Sequence, residues 1–221
     1  RKQCQREKKK VSVKQGQEAA CLRRIKREWK DAVNLGIAYD WVDMKTVSRQ
    51  SSDTTEDYNY VRIGPMGRHL LRWHFSVAGP ADSEFEGGVY HGIVRLPKNY
   101  PTDPPMVQVF TPSGRFIPGH DICLSATAFH PESWTPRWSI LSLIDALRLH
   151  MLTQANEIGG LDSKPDERRR LAKLSRKWSM GRVEHDLMIK EGIFPFEEKE
   201  QPQVSSSQSK LDGEALRAVL V

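Results

Sequence analysis

The chain has little cysteine and no long apolar run, and both absences narrow its function. Its 221 residues contain three cysteines, Cys4, Cys21 and Cys123, an odd number at wide spacings without a Cys-x-x-Cys pair. A disulfide framework and a structural zinc site are therefore not expected, and a reducing compartment fits best. No stretch approaches the roughly 18 uninterrupted apolar residues of a membrane helix, so no membrane span is predicted within these residues.

Apolar residues are also scarce, at 38 % of the chain, and the mean hydropathy is −0.59. This composition predicts one compact domain with polar extensions. We expect a disordered basic tail over 1–20, a folded domain over 21–180, and a C-terminal helix with a flexible tail over 181–221.

The net charge of +6 is unevenly distributed along the chain. Residues 1–30 contain 12 Lys or Arg and 3 Asp or Glu, whereas residues 31–221 carry a net charge of −3. A high pI can indicate nucleic-acid binding. Here a basic segment precedes a mildly acidic body, which is more typical of a solvated tail and helix face. Nucleic acid is therefore not an expected partner.

Three segments have the apolar spacing of helices. The first is expected over 22–34, with a basic opposite face, and Ser139 is expected to cap the second. The third begins near Pro165, a residue suited to the first helical position. The apolar positions are Leu22, Ile25, Trp29, Ala32 and Val33 in the first helix, Ile140, Leu143, Ile144, Leu147 and Met151 in the second, and Leu171, Leu174 and Trp178 in the third.

Between the first two helices the period changes to that of strands. Apolar alternation predicts a half-buried strand over 71–77, and turn residues separate it from strands over 58–63, 89–96 and 106–110. The segment 40–57 is expected to be a surface loop. Short connections favour an antiparallel meander. The expected fold class is α+β, a four-stranded antiparallel meander with an N-terminal helix and C-terminal helices.

An irregular segment of nearly thirty residues follows the last strand and contains Cys123. A loop of this length inside a compact domain is more often functional than not. A cysteine between two aliphatic residues is usually a buried core thiol, but polar residues surround this one. A nucleophilic cysteine typically has a nearby histidine that takes its proton. His74, His120 and His130 are candidates, and spacing does not decide among them.

Several ordered motifs resemble the ubiquitin-conjugating enzymes. These are GGVYHGIVRLPKNYPTDPP from Gly87, then ICLS, then SWTPRWSI. More narrowly, GRF, ICLS, HPESWTPRWSI and IGGLDSKPDERRRLAKLS resemble the tail-anchored endoplasmic-reticulum branch, which serves degradation of misfolded endoplasmic-reticulum proteins. The resemblance extends from about Leu22 to Trp178. It implies the ubiquitin-conjugating fold, with the catalytic domain over 21–180.

The resemblance implies a function for Cys123. Family members accept ubiquitin as a thioester on this cysteine from an activating enzyme that consumes ATP, and a ligase then directs transfer to a substrate protein. The chemistry is acyl transfer, for which the chain needs no metal and no cofactor. Family members do not rely on a protease-like Cys–His dyad. The endoplasmic-reticulum branch implies a cytosol-facing domain and a C-terminal anchor, and no anchor lies within these residues.

One position departs from the family pattern. Where the endoplasmic-reticulum branch has an Asn upstream of the catalytic cysteine, this chain has Ser113, in the triplet Thr-Pro-Ser. The Asn is proposed to stabilise the tetrahedral oxyanion. Ser113 therefore either supplies a donor on a shorter arm or only caps the Ser-Gly turn, and both roles stay open.

The resemblance also implies partner surfaces. The basic face of the first helix matches the surface that family members present to the activating enzyme, whose contacting domain is typically acidic. An ordinary solvated helix face is the alternative. The expected contacts are Arg23, Arg24, Lys26 and Arg27 for the activating enzyme, and Thr102 and Pro136 for a ligase. A second hypothesis for the whole chain is a non-catalytic variant of the fold that binds ubiquitin or a ligase.

Overall fold

A computed structural model describes the backbone of residues 2–40, 45–46, 61–66 and 69–180. Within these residues the chain forms three helices and six strands. In chain order they are α1 Lys2–Asn34, β1 Tyr39–Asp40, β2 Lys45–Thr46, β3 Val61–Met66, β4 His69–Ala78, β5 Val89–Arg95, β6 Met106–Val109, α2 Ile140–His150 and α3 Pro165–Met180.

Strands β3 to β6 form one antiparallel sheet in the order β3-β4-β5-β6. Each strand pairs with its neighbour in the chain, which is the meander that the sequence predicts. The predicted α+β class, with an N-terminal helix and later helices, is confirmed. Strands β1 and β2 pair antiparallel as a separate two-stranded sheet. Of its residues, Asp40, Lys45 and Thr46 fall in the segment 40–57, for which the sequence predicted a surface loop.

Strand β4 supplies much of the core of the sheet. Trp73, Phe75 and Val77 are buried on one face, as the alternation predicts. Phe75 lies opposite Gly92 of β5. A Cβ atom at Gly92 would lie 2.4 Å from the Phe75 ring and 2.2 Å from the carbonyl oxygen of Gln108. Glycine is therefore required there, because the ring of Phe75 and the neighbouring strand both approach the backbone.

The other face of β4 differs from the sequence prediction of a half-buried strand. His74 and Ser76 are buried, and both lie within hydrogen-bonding distance of His91 on β5. Burial, and secondarily the positive charge of Arg72, lower the pKa of His74 to about 4. The alternation of residue types could not reveal this, because the polar pairing that permits burial joins two strands.

Helix α1 is longer than the sequence predicts. Its backbone is helical from Lys2, whereas the sequence predicted a helix from Leu22 and disorder over 1–20. Lys, Gln, Glu and Ala are frequent in this part, and all have good helix propensity. The buried apolar side chains of α1 include Cys21, Ile25 and Ala32, and Leu22 is 44 % exposed although it was assigned to the apolar face.

Helix α2 begins where the sequence predicts. The Ser139 hydroxyl accepts a 3.0 Å hydrogen bond from the backbone N–H of Ser142, and the Ser142 hydroxyl accepts one of 2.7 Å from the backbone N–H of Ser139. This reciprocal pair is a capping box. Helix α3 begins at Pro165, also as predicted. The proposed domain over 21–180 stays a prediction, and the tail over 181–221 lies outside the described residues.

Candidate functional site

Cys123 lies in the irregular segment between β6 and α2, and its side chain is half-buried. The flanking Ile122 and Leu124 are buried in the core. The backbone N–H of Ile122 donates to the carbonyl oxygen of Val107 on β6, and that of Cys123 donates to the carbonyl oxygen of Ile158. The backbone is thus fixed on both sides while the thiol remains partly accessible.

Two consecutive turns bring the chain back towards Cys123. The backbone N–H of Thr127 donates to the carbonyl oxygen of Leu124, and that of His130 donates to the carbonyl oxygen of Thr127, each at 3.0 Å. The buried Thr127 hydroxyl accepts from the N–H of Leu124 at 3.1 Å and donates to its carbonyl oxygen at 2.8 Å. This small hydroxyl residue fixes the first turn, because its side chain satisfies backbone groups that the turn leaves without partners.

The turns place one histidine against the thiol. Sγ of Cys123 lies 3.1 Å from Nε2 of His130, and Nδ1 of His130 lies 3.0 Å from Oε1 of Glu132. The sequence left three histidines open as partners of the cysteine. His120 is exposed and has no hydrogen bond to Cys123, and His74 is buried in the sheet. The geometry therefore selects His130.

The electrostatic surroundings favour the protonated thiol. Burial raises the pKa of Cys123, and the negative charges of Glu157 and Glu132 raise it further. For Glu132, a hydrogen bond from its own backbone N–H and the contact with His130 lower the carboxyl pKa. Because only the thiolate is a strong nucleophile, the site needs a group that takes the thiol proton or a partner that changes this balance.

The segment behind Cys123 is held by Arg115, which is fully buried. Its guanidinium donates to the carbonyl oxygens of His150, Thr153 and Gln154 at 3.1 Å each and forms an ion pair with Glu157. Although burial alone would raise the pKa of Glu157, hydrogen bonds from Arg115 and from the backbone lower it. A buried arginine with all these partners fixes the end of α2 and the loop that follows.

That loop lies directly against the cysteine segment. Ile158 supplies the carbonyl oxygen that accepts the Cys123 N–H, at 2.9 Å. The next residue, Gly159, has φ +82, and a Cβ atom there would lie 2.3 Å from the carbonyl oxygen of Asp121. Glycine meets both requirements at once, a left-handed backbone and a close approach. Arg115 therefore holds Glu157, and the residue after Glu157 accepts the hydrogen bond from the backbone of Cys123.

Ser113 is fully buried. Its hydroxyl accepts hydrogen bonds from the backbone N–H groups of Arg115, at 3.1 Å, and Phe116, at 3.2 Å. No hydrogen bond joins Ser113 to Cys123, both of which the structure describes. This is the geometry of a turn cap, one of the two roles that the sequence left open.

The two loops expected to contact a ligase lie next to each other. Thr102 and Pro136 are both exposed. The indole N–H of Trp134, which is 7 % exposed, donates to the carbonyl oxygen of Pro101 at 2.9 Å. A buried tryptophan thus ties one loop to the other.

The four basic residues of α1 divide into two groups. Arg23, Lys26 and Arg27 are exposed, as a partner contact requires. Arg24 instead turns inward. Its guanidinium donates to the carbonyl oxygen of Pro136 at 2.6 Å and pairs with Glu28. The sequence predicted that Arg24 contacts the activating enzyme. This does not fit the structure, because the guanidinium N–H groups of Arg24 already donate to partners within the chain.

Glu28 is the centre of this internal network and is 6 % exposed. Its carboxylate accepts from Arg24, from the hydroxyl of Tyr100, and from the backbone N–H of Ile140 at 2.7 Å. It therefore joins α1, the segment before Pro101 and the first residue of α2. Burial and the charge of Glu28 raise the pKa of Tyr100 above the ordinary tyrosine range, so its hydroxyl stays a donor.

Four residues have structural roles at the site that the sequence did not predict: Glu28, Arg115, Thr127 and Glu157. Arg24 and Glu28 stand four residues apart on a helix, a spacing that signals an ion pair. The roles of Arg115 and Glu157 carry no comparable local signal, because their partners are tens of residues away. Within the described residues, no group of three His, Cys, Asp or Glu side chains could hold a metal ion.

The fold and the cysteine loop agree with a comparison to known families. Residues 43–168, more than half of the chain, match the ubiquitin-conjugating enzyme family. The chain therefore belongs to the ubiquitin-conjugating enzymes, a transferase family with a thioester intermediate. The resemblance seen in the sequence motifs is confirmed.

Three curated relatives specify the similarity. Ubiquitin-conjugating enzyme E2 J1 of Homo sapiens is 42 % identical over 134 residues, 60 % of this chain and 42 % of the relative. Ubiquitin-conjugating enzyme E2 6 of Debaryomyces hansenii is 36 % identical over 120 residues, 54 % of this chain and 50 % of the relative. Probable ubiquitin-conjugating enzyme E2 33 of Arabidopsis thaliana is 29 % identical over 183 residues, 83 % of this chain and 67 % of the relative. The chain spans less than half the length of E2 J1. E2 J1 and E2 6 are consistent with the endoplasmic-reticulum branch that the motifs indicate.

Proposed function

We propose that this chain accepts ubiquitin from an activating enzyme as a thioester on Cys123 and, with a ligase, transfers it to substrate proteins. The main support is the accessibility of the Cys123 thiol and its contact with a histidine. Cys123 is half-buried on a loop and contacts His130, whereas Cys21 is 4 % exposed within the core. Only the first of these two thiols can reach an incoming thioester.

The exposed basic residues of α1 are the proposed contact for the activating enzyme. Arg23, Lys26 and Arg27 point away from the core and present positive charge. Complementary charge mainly accelerates association, which suits a carrier that must be loaded repeatedly. Arg24 contributes indirectly, because it holds the loop at Pro136.

The proposed ligase contacts are Thr102 and Pro136. Both are exposed, and the hydrogen bond from Trp134 to Pro101 keeps their loops together. Thr102 is small and polar, whereas many family members have a large apolar residue there. We infer that this difference narrows the set of ligases that bind.

For Ser113 we propose the structural role. Its hydroxyl already accepts two backbone N–H groups and is fully buried. An oxyanion donor must lie about 2.7–3.1 Å from the developing oxyanion, which requires access to the reacting carbonyl. The full burial of Ser113 and the two backbone N–H groups that its oxygen accepts support a turn cap better than an oxyanion donor.

We further propose that the transfer serves degradation of misfolded endoplasmic-reticulum proteins, at the cytosolic face of that membrane. The support is the motif IGGLDSKPDERRRLAKLS and the similarity to relatives named E2 J1 and E2 6. In the part of the chain that the structure describes, no helix is long and apolar enough to cross a membrane.

A charging assay tests the function. The protein is incubated with activating enzyme, ATP and ubiquitin, and the products are separated on gels with and without thiol. We expect a band heavier by one ubiquitin that thiol removes. If a known ubiquitin-conjugating enzyme is charged in parallel and this chain is not, the alternative of a non-catalytic variant that binds ubiquitin or a ligase is favoured.

A further inference from the structure

In the hydrogen bond between Cys123 and His130, the donor and the acceptor can be assigned. Glu132 lies 3.0 Å from Nδ1 of His130, so the ring proton is assigned to that nitrogen, where the carboxylate accepts it. The lone pair of Nε2 then points at Sγ of Cys123, 3.1 Å away. In the unloaded protein the thiol donates a hydrogen bond to this lone pair.

The geometry is fixed from both ends. The backbone N–H of Cys123 donates a hydrogen bond to the carbonyl oxygen of Ile158, and that of His130 donates one to the carbonyl oxygen of Thr127. The buried Thr127 hydroxyl fixes the turn between the two residues. The side chain of His130 is 45 % exposed and that of Glu132 is 69 % exposed. An acceptor molecule can therefore reach the ring from solvent while the backbone holds the ring beside the sulfur.

We propose that His130 is a catalytic residue that takes the proton of the acceptor when ubiquitin leaves Cys123, with Glu132 holding the ring in position. This inference rests on the proposed function. It concerns the discharge step, in which the acceptor must approach the carbonyl carbon bonded to Sγ, and Nε2 lies beside that sulfur.

The step balances without a further reactant. A neutral amine of the acceptor attacks the thioester carbonyl, a C–N bond forms and the C–S bond breaks. The electron pair of the C–S bond stays on the Cys123 sulfur, and one amine proton goes to Nε2 of His130. His130 then returns this proton to the thiolate, which regenerates the thiol and the neutral imidazole.

The charges around the sulfur agree with this role. Glu132 and Glu157 are the acidic groups that act on Cys123, and both disfavour the thiolate. A thiolate that forms as ubiquitin leaves is therefore a poor leaving group unless a proton is available. An imidazolium at 3.1 Å supplies that proton and neutralises the developing negative charge.

The test measures single-turnover discharge from protein that is loaded first and then separated from the activating enzyme. Free lysine is one acceptor and hydroxylamine is the other. Both amines lose one N–H proton after they attack the thioester. The neighbouring oxygen makes hydroxylamine a far weaker base than lysine, so water can accept its proton, whereas the lysine proton needs a stronger base. His130→Gln should slow discharge to lysine about 100-fold, the lower end of the effect of a general base, and discharge to hydroxylamine less than threefold. Glu132→Gln should slow lysine discharge by about 3- to 10-fold.

The matched control is His120→Gln, because His120 is an exposed histidine of the same loop without a bond to Cys123. It should leave both rates unchanged. Free imidazole should restore lysine discharge in His130→Ala, which a purely structural role would not allow. The proposal is overturned if His130→Gln keeps lysine discharge within threefold of wild type, slows both acceptors equally, or cannot be loaded while wild type is. Failure of the wild type to load contradicts the proposed function instead.

Discussion

The guanidinium of Arg24 on α1 donates a 2.6 Å hydrogen bond to the carbonyl oxygen of Pro136, 112 residues further along the chain. A second hydrogen bond joins Arg24 to the carbonyl oxygen of Trp138, and Glu28 pairs with the same guanidinium. Helix α1 therefore holds the loop that bears one of the proposed ligase contacts. The surfaces proposed for the activating enzyme and for the ligase share this support.

Removal of the Arg24 side chain should lower both the stability of the fold and the rate of ligase-stimulated discharge. Arg24→Ala leaves the buried Glu28 carboxylate without its charged partner, and we expect the free energy of unfolding to fall by about 3 kcal/mol. Ligase-stimulated discharge should slow more than charging does, because the loop at Pro136 loses its support. Urea unfolding and the two rates measure this. Arg23→Ala is the control, since an exposed residue should change stability by about 0.5 kcal/mol or less. Equal effects of the two variants would contradict the account.

The exposed basic face of α1 predicts salt-sensitive charging. Reversal of Arg23, Lys26 and Arg27 to Glu should slow charging at low salt through weaker association with the activating enzyme. The deficit should shrink as salt rises, because exposed charges are screened beyond roughly 8–10 Å near physiological ionic strength. Initial charging rates at several salt concentrations measure this, with thermal unfolding as the check on folding. Charging unchanged at low salt would make this an ordinary solvated face.

The lowered pKa of Glu157 should make the stability of the fold depend on pH. Despite burial, hydrogen bonds from Arg115 and from the backbone hold the pKa of Glu157 below its ordinary value of 4.5. A carboxyl whose pKa is lowered on folding stabilises the protein above its unfolded pKa, and this contribution disappears as pH falls through the folded value. The stability difference between wild type and Glu157→Gln should therefore decrease from about pH 5 towards pH 3. Urea unfolding at each pH measures it, and a difference independent of pH would show that the charge of Glu157 contributes nothing.

Substitutions at Ser113 distinguish a turn cap from an oxyanion donor. Ser113→Ala should lower the free energy of unfolding by about 1–2 kcal/mol, because the buried N–H groups of Arg115 and Phe116 lose their acceptor. The discharge rate of the charged, folded protein should change less than threefold. Ser113→Asn should destabilise the fold without faster discharge, since the site is fully buried and has to admit a larger side chain. A tenfold loss of discharge in Ser113→Ala with unchanged stability would instead make the hydroxyl an oxyanion donor.

Much of the fold could be predicted from local patterns. The cap at Ser139, the start of α3 at Pro165 and the alternation around Phe75 are each encoded within a few residues. The start of α1 was missed, because the residues before Leu22 form helix without an apolar stripe. The burial of His74 was missed because its partner, His91, lies on another strand.

The site was predictable only in part. Cys123 stood out because of its motif and its polar neighbours, but the sequence could not choose His130 from three histidines. That choice depends on a turn fixed by the Thr127 hydroxyl, a feature of three-dimensional hydrogen bonding. The inward turn of Arg24 likewise depends on carbonyl groups that only the folded chain brings to it.

The cysteine that carries the thioester can be located by substitution. Wild type, Cys123→Ala, Cys21→Ala and Cys4→Ala are charged side by side with activating enzyme, ATP and ubiquitin, and thiol-sensitive ubiquitin adducts are quantified by intact mass. We expect only Cys123→Ala to lose the adduct, and we expect Cys123→Ser, if it is charged, to form an adduct that resists thiol. A thiol-sensitive adduct that survives in Cys123→Ala, or that disappears in Cys21→Ala while that variant remains folded, would contradict the assignment of the thioester to Cys123.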